Sequence, residues 1–246
     1  MSQDRPARDD FSTTIWSTVI RAREGDEAAR NAALERLFVR YRPPLLYFIA
    51  MQDRGSARSP EDVCHEVIVR LMKGEFWDQV NPQQGRFRTF LKACVRNLLA
   101  DEWDKAKTEK RGQGKPTESL DETDEDGRAL REPATKVESA DLAMDRKWAE
   151  QVLNQAIELL RAECVADRRV AWFDALEGQL DRTPREETLR EVAIRFKTTE
   201  AAVRVGLSRL RRRLGTIISE LVRETVGSEA DWREELRYLV ELSGNE

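Results

Sequence analysis

The sequence predicts an all-α protein: two small helical domains joined by a flexible acidic linker, the C-terminal one carrying a helix-turn-helix. Three observations predict it. Apolar residues recur every three or four positions in both halves of the chain, the spacing of a helix face. Between the halves, Thr117 to Asp141 holds nine acids and three bases, net -6, with few large apolar residues, a composition that cannot bury enough surface to order itself. Finally, Arg195 to Arg213 sets seven basic residues against one acid, Glu200, in a chain whose formal net charge is -4. The expected boundaries are 11–112 for the first domain, 113–145 for the linker and 146–246 for the second domain.

In the first block, Leu34, Leu37, Phe38, Tyr41, Leu45 and Phe48 form a helical stripe that Pro43-Pro44 is expected to kink or break. Ser59-Pro60-Glu61-Asp62 caps a second helix, with Val63, Val67, Ile68 and Leu71 on its inner side. A loop from Gly74 to Gly85 precedes a longer helix whose core face is Phe87, Phe90, Leu91, Cys94, Val95 and Leu98. Arg88, Lys92 and Arg96 fall at i, i+4 and i+8 on its outer face, and Arg86 to Arg111 carries eight bases against four acids. A basic helix beside a loop bearing Phe76 and Trp77 suits stacking on unpaired bases together with phosphate contact. Ordinary core aromatics under a solvated face would give the same pattern.

The second block opens with Trp148, Val152, Ala156, Leu159 and Leu160, then Trp172, Phe173, Leu176 and Leu180, helices expected to support the helix-turn-helix. Thr183-Pro184-Arg185-Glu186 reads as a helix start, and Leu189, Val192, Ala193 and Phe196 form that helix's apolar face. Lys197-Thr198 makes a turn and Thr199 caps the next helix. There Val203, Leu207, Leu210, Leu214, Ile217 and Leu221 form an unbroken buried stripe. Arg204, Ser208 and Arg211, at i, i+4 and i+7, share another face that can enter a major groove, while Arg209, Arg212 and Arg213 reach flanking phosphates. In the tail from Ser228 to Glu246, Trp232, Leu236, Leu239 and Val240 predict a small terminal helix.

Composition excludes other classes. There is no run of eighteen apolar residues and Met1 to Phe11 is polar, so a cytoplasmic protein without membrane insertion is expected. Cys64, Cys94 and Cys164 are odd in number and widely spaced, which argues against a disulfide framework; Cys64 and Cys94 are expected as core thiols. His65 is the only histidine, so no metal constellation and no cofactor is expected. Neighbours on a helix diverge by about 100°, which sets Cys64 and His65 apart as a catalytic pair. An enzyme acting on nucleic acid would cluster its carboxylates around a metal, whereas here the acids gather in the linker.

The order of parts resembles an extracytoplasmic-function sigma factor of the sigma-70 family. Pro60-Glu61-Asp62-Val63-Cys64-His65-Glu66-Val67 resembles the helix that grips the clamp helices of RNA polymerase. Gly85-Arg86-Phe87-Arg88-Thr89-Phe90-Leu91, leading to Val95-Arg96-Asn97 and Asp101, resembles the helix that melts and reads the downstream promoter element. Leu189 to Leu214, with Glu191-Val192-Ala193 and Ala202-Val203-Arg204, resembles the upstream-element reader. Departures are His65 for a usual glutamine, Ile68 for phenylalanine, Phe90 for tryptophan, and Lys197 where glycine usually ends the first reading helix.

The resemblance implies core RNA polymerase (clamp helices and flap) and promoter DNA as partners, with an anti-sigma factor as a further one the family allows. It implies Glu61, Asp62, Glu66 and Arg70 as an outward polymerase-binding face. It assigns the downstream element to Phe76, Trp77, Arg86, Arg88, Lys92, Arg96 and Asn97, with Asn97 and the loop forming a pocket for an extruded base. Thr199, Arg204, Ser208, Arg209, Arg211, Arg212 and Arg213 make up the upstream set. A stand-alone helix-turn-helix regulator is the competing reading; it has no use for the loop and basic helix of the first block.

Overall fold

Nine α-helices and one 3-10 turn make up the secondary structure of the described residues, with no strand among them. The computed structural model describes residues 15–21, 26–52, 58–76, 86–112, 139–180 and 188–244. Trp77, the helix start expected at Thr183 to Glu186 and the 113–138 part of the expected linker lie outside them. No helix among the described residues is long and apolar enough to cross a membrane.

Contacts gather the described residues into two compact units, one made of those up to Arg40 with those from Trp148 onward, the other of those between Tyr41 and Lys147. In the second of these lie the end of α2 (Glu27–Gln52), α3 (Pro60–Lys73), α4 (Phe87–Gly112) and the start of α5 (Ala140–Ala166). The expected break at Pro43-Pro44 does not occur, since α2 runs through both prolines. A proline inside a helix costs about 3 kcal/mol. Tyr41, Leu45, Phe48 and Ile49 are all fully buried around the pair, and each such side chain contributes about 1.5–3 kcal/mol, so burial outweighs the lost amides. Ser59 opens α3 by accepting from the Asp62 amide at 3.1 Å, Pro60 takes the first turn, and Gly74 closes it at φ 83. Tyr41 meets Phe87 edge-on at 4.9 Å and Phe87 stacks near Phe90 at 6.4 Å. Cys64 and Cys94 are buried, and burial pushes both thiols up, as inert core thiols require.

The other unit holds α1 (Ile15–Arg21), the first half of α2, the rest of α5, α6 (Val170–Leu176), the 3-10 turn Glu177–Gln179, α7 (Leu189–Arg195), α8 (Glu200–Arg223) and α9 (Glu229–Gly244). The sequence places residues from 11 onward in the first block. Instead α1, too short to persist alone, joins the C-terminal helices: the amides of Ile15 and Trp16 donate to the Glu224 carboxylate (2.7 Å) and carbonyl (3.0 Å), satisfying two orphan donors of its first turn. Trp16 and Val19 are fully buried. The terminal helix expected after Ser228 is α9, capped by Ser228 at 3.2 Å from the Asp231 amide and tied to α8 by the Trp232 indole donating to the Ser219 carbonyl at 3.1 Å.

Candidate nucleic-acid interface

The α7–turn–α8 pair is built from three local devices. Thr188 and Glu191 form a capping box at the start of α7, each side chain serving the other's backbone amide; the Thr188 amide and hydroxyl hold the Glu191 carboxyl below the usual range. At its end Lys197 takes a left-handed φ of 51, with Lys197 N donating to the Ile194 carbonyl and Thr198 N to that of Ala193. Lysine thus stands in for glycine, at a cost of about 1–2 kcal/mol, and the turn closes as a glycine turn would. Thr199 then caps α8, accepting from the Ala202 amide at 3.2 Å.

α8 buries the expected stripe, Val203, Leu207, Leu210, Leu214, Ile217 and Leu221. Its close fit to α6 depends on Gly206, where an added Cβ would lie 2.7 Å from Cζ2 of the Trp172 indole. That indole also meets Phe196 edge-on at 5.0 Å, locking α6, the turn and α8 together. The sequence did not single out Gly206; its only signal is a glycine inside an otherwise strong helix pattern.

On the opposite side, Arg204, Ser208 and Arg211 come together with Leu189 and Leu207 around a groove of about 320 Å³. Arg204 is exposed and paired with Glu200 at 2.5 Å, one turn back. Arg211 donates to the Gln179 carbonyl at 2.5 and 3.2 Å. Arg209 and Arg212 are exposed. Arg213 departs from the expected phosphate role: it donates to both Glu163 oxygens at 2.9 and 2.6 Å and lies 3.6 Å from Glu220. This bidentate bond holds the Glu163 carboxyl below the usual range and fastens α8 to α5. Arg209 and Arg213 border a larger groove of about 800 Å³ floored by Leu160, Trp172, Val205 and Leu210.

In the other unit, the expected outward face of α3 is only half free. Glu61 and Asp62 are exposed. Glu66 and Arg70, expected beside them, are partly buried in an ion network: Arg58 reaches Glu66 at 2.7 Å and pairs with Glu102, Arg70 reaches Glu66 at 2.5 Å and Asp101 at 3.8 Å. Burial opposes ionisation of Glu66, but hydrogen bonds from Arg58 and Arg70 outweigh it and hold the carboxyl below the usual range. The network ties α3 to α4, and the periodicity of one helix taken singly carries no sign of it.

The basic stripe of α4 is the largest correction. Arg88 and Lys92, expected on an outer face, are 3% and 8% exposed. Both meet Asp145 of α5, Arg88 Nε at 3.3 Å and Lys92 Nζ at 2.5 Å, while Arg96 pairs with Asp141 and stays exposed. Phe76, expected to stack on bases, is buried in the core. Arg86 and Asn97 are half-buried. The covering acids fall inside the expected linker boundary, although Asp141 and Asp145 stand one turn apart in a segment where Ala140, Met144 and Trp148 already keep helical spacing. No group of three metal-ligating side chains occurs among the described residues.

Residues 37–109, which run from the middle of α2 through nearly all of α4, match the family model of sigma-70 region 2. No curated protein and no solved structure matches the chain. The region 2 match covers the helices on which the α3 and α4 faces stand.

Proposed function

We propose that the protein is an extracytoplasmic-function sigma factor, a cytoplasmic transcription initiation factor that binds core RNA polymerase and directs it to specific promoters. The region 2 match carries this reading. Polymerase is gripped through the exposed start of α3, Glu61 and Asp62, and the apolar groove beside α8 offers a second contact for the flap. α7 and α8 act as a helix-turn-helix: Arg204, Ser208 and Arg211 read base edges of the upstream element, and Arg209 and Arg212 hold phosphates. α4, with Arg86, Arg96 and Asn97 foremost, holds the downstream element as a melted strand, stabilising the unpaired form without covalent chemistry. The acidic linker repels DNA by its charge; an anti-sigma protein is a regulator this architecture accommodates.

Two small DNA sites on one chain gain avidity only when their spacing is fixed, and polymerase fixes it. The test is reconstituted transcription from a promoter library by core polymerase. Initiation at a defined sequence class only when the protein is added is expected. Unchanged initiation with and without it, alongside sequence-specific duplex binding by the protein alone, would favour the stand-alone regulator.

A further inference from the structure

The basic face of α4 is filled by the first turns of α5. Asp145 is itself 7% exposed, accepts from Lys92 and lies 3.3 Å from Arg88 Nε; Lys92 also donates to the Asp141 carbonyl at 3.1 Å and lies 3.3 Å from its carboxylate; Arg96 takes the remaining Asp141 oxygen. Ser139 secures this end of α5 by accepting from the Leu142 amide at 3.3 Å. Two carboxylates, one turn or about 6 Å apart along the helix, thus neutralise three cations set at the same periodicity on α4. Carboxylates and phosphates use arginine and lysine in the same way, through short charge-assisted bonds, so both cannot hold this face at once.

We propose that the leading turns of α5 are a built-in competitor for nucleic acid, closing the α4 face until a DNA strand, brought up by polymerase, displaces Asp141 and Asp145. This rests on the reading of α4 as the contact for the melted strand. The competitor is tethered, so it acts at high effective concentration, and the free protein binds single strands only weakly. During exchange, phosphate oxygens take over the bonds of the carboxylates, so Arg88 and Lys92 are never left bare in a dry setting, where an unpaired charge is costly. A purely structural fastening of α5 would use the same pairs but would not compete with DNA.

The experiment measures binding of the full chain to a fluorescein-labelled degenerate DNA single strand across a sodium chloride series, with and without core polymerase. Asp141→Asn, at a half-exposed position, carries the test; Asp145→Asn is added where circular dichroism shows it folded, and Glu158→Gln on the exposed side of α5 is the control. Without polymerase, Asp141→Asn should bind tighter than the wild type by up to about five-fold, the scale of releasing one partly exposed ion pair. Its salt slope should steepen by about 0.7 for each cation freed; Glu158→Gln should change nothing. A folded Asp141→Asn that binds no tighter overturns the proposal. If Arg96→Ala then still weakens strand binding with polymerase present, α4 remains the strand contact and only the competitor is lost. If no variant binds a strand with or without polymerase, the reading of α4 fails and the proposal with it.

Discussion

α8 and α4 carry the same sequence device and present it oppositely. Each sets cations one turn apart along a helix whose other side is a buried apolar stripe. On α8, Arg204, Arg209 and Arg212 are exposed, and the bonds of Arg204 and Arg211 are to a half-exposed neighbour one turn away and to a carbonyl. On α4, Arg88 and Lys92 lie under the acids of α5. The difference does not reside in either helix. It resides in what packs across from it: α8 meets α6 through Gly206 and an indole, and α4 meets Asp145.

The largest expected effect breaks the α4 side of the comparison. Asp145→Ala would leave two cations buried with part of their pairing gone, and removing one partner of a buried ion pair costs about 3–5 kcal/mol. The loss should appear in urea unfolding of the full chain as a lower midpoint for one of two transitions. A loss under about 1 kcal/mol would show that the acids are not seated as described.

Next comes the α8 side. Gly206→Ala forces a Cβ against the Trp172 indole, and overpacking of this kind costs about 1–3 kcal/mol. A rise in helicity with unchanged or higher stability would mean that α6 stands off from α8. A smaller and qualitatively different effect separates reading from holding. Arg212→Ala should weaken all duplexes alike and flatten the salt dependence of binding by about 0.9 of a slope unit, whereas a sequence-selective loss would place Arg212 among the base readers.

The smallest effect concerns acid. Glu163 and Glu66 are held below the carboxylate value of 4.5 in the folded protein, so their contribution is complete above that pH and is lost as pH falls through their folded values. Glu163→Gln should therefore lower stability at neutral pH, by no more than about 1 kcal/mol for a partly exposed pair, and make the acid limb shallower below pH about 4.5. An acid limb of unchanged slope would show that the Arg213 bond does not persist in solution.

Features set by neighbours in sequence were legible without coordinates. The Ser59 and Thr199 caps, the α8 stripe, the shared face of Arg204, Ser208 and Arg211, and the terminal helix each depend on residues within a turn or two, where propensity and periodicity act. What was not legible came from contacts distant in sequence. Arg213 bonds Glu163 across 50 residues, Lys92 bonds Asp145 across 53 and Ile15 bonds Glu224 across 209; no window around any of these residues holds the partner that decides its exposure. That the helix does not break at Pro43-Pro44 has the same origin, because local cost was visible and the burial of Tyr41, Leu45, Phe48 and Ile49 was not. Phe76 shows that an aromatic in a polar loop can belong to the core as readily as to a ligand.

Whether this chain reads promoters through the groove-facing side of α8 on behalf of polymerase can be decided by a single comparison. Core polymerase is supplied with the wild-type chain or with Arg204→Ala, and the upstream sequences of the transcripts from a randomised promoter library are compared. Arg204→Ala should keep initiation dependent on the protein but relax base preference at one or two upstream positions, a change of about 1–3 kcal/mol in discrimination. Identical upstream preferences for the two proteins, or a uniform loss across all sequences, would contradict the promoter-reading role.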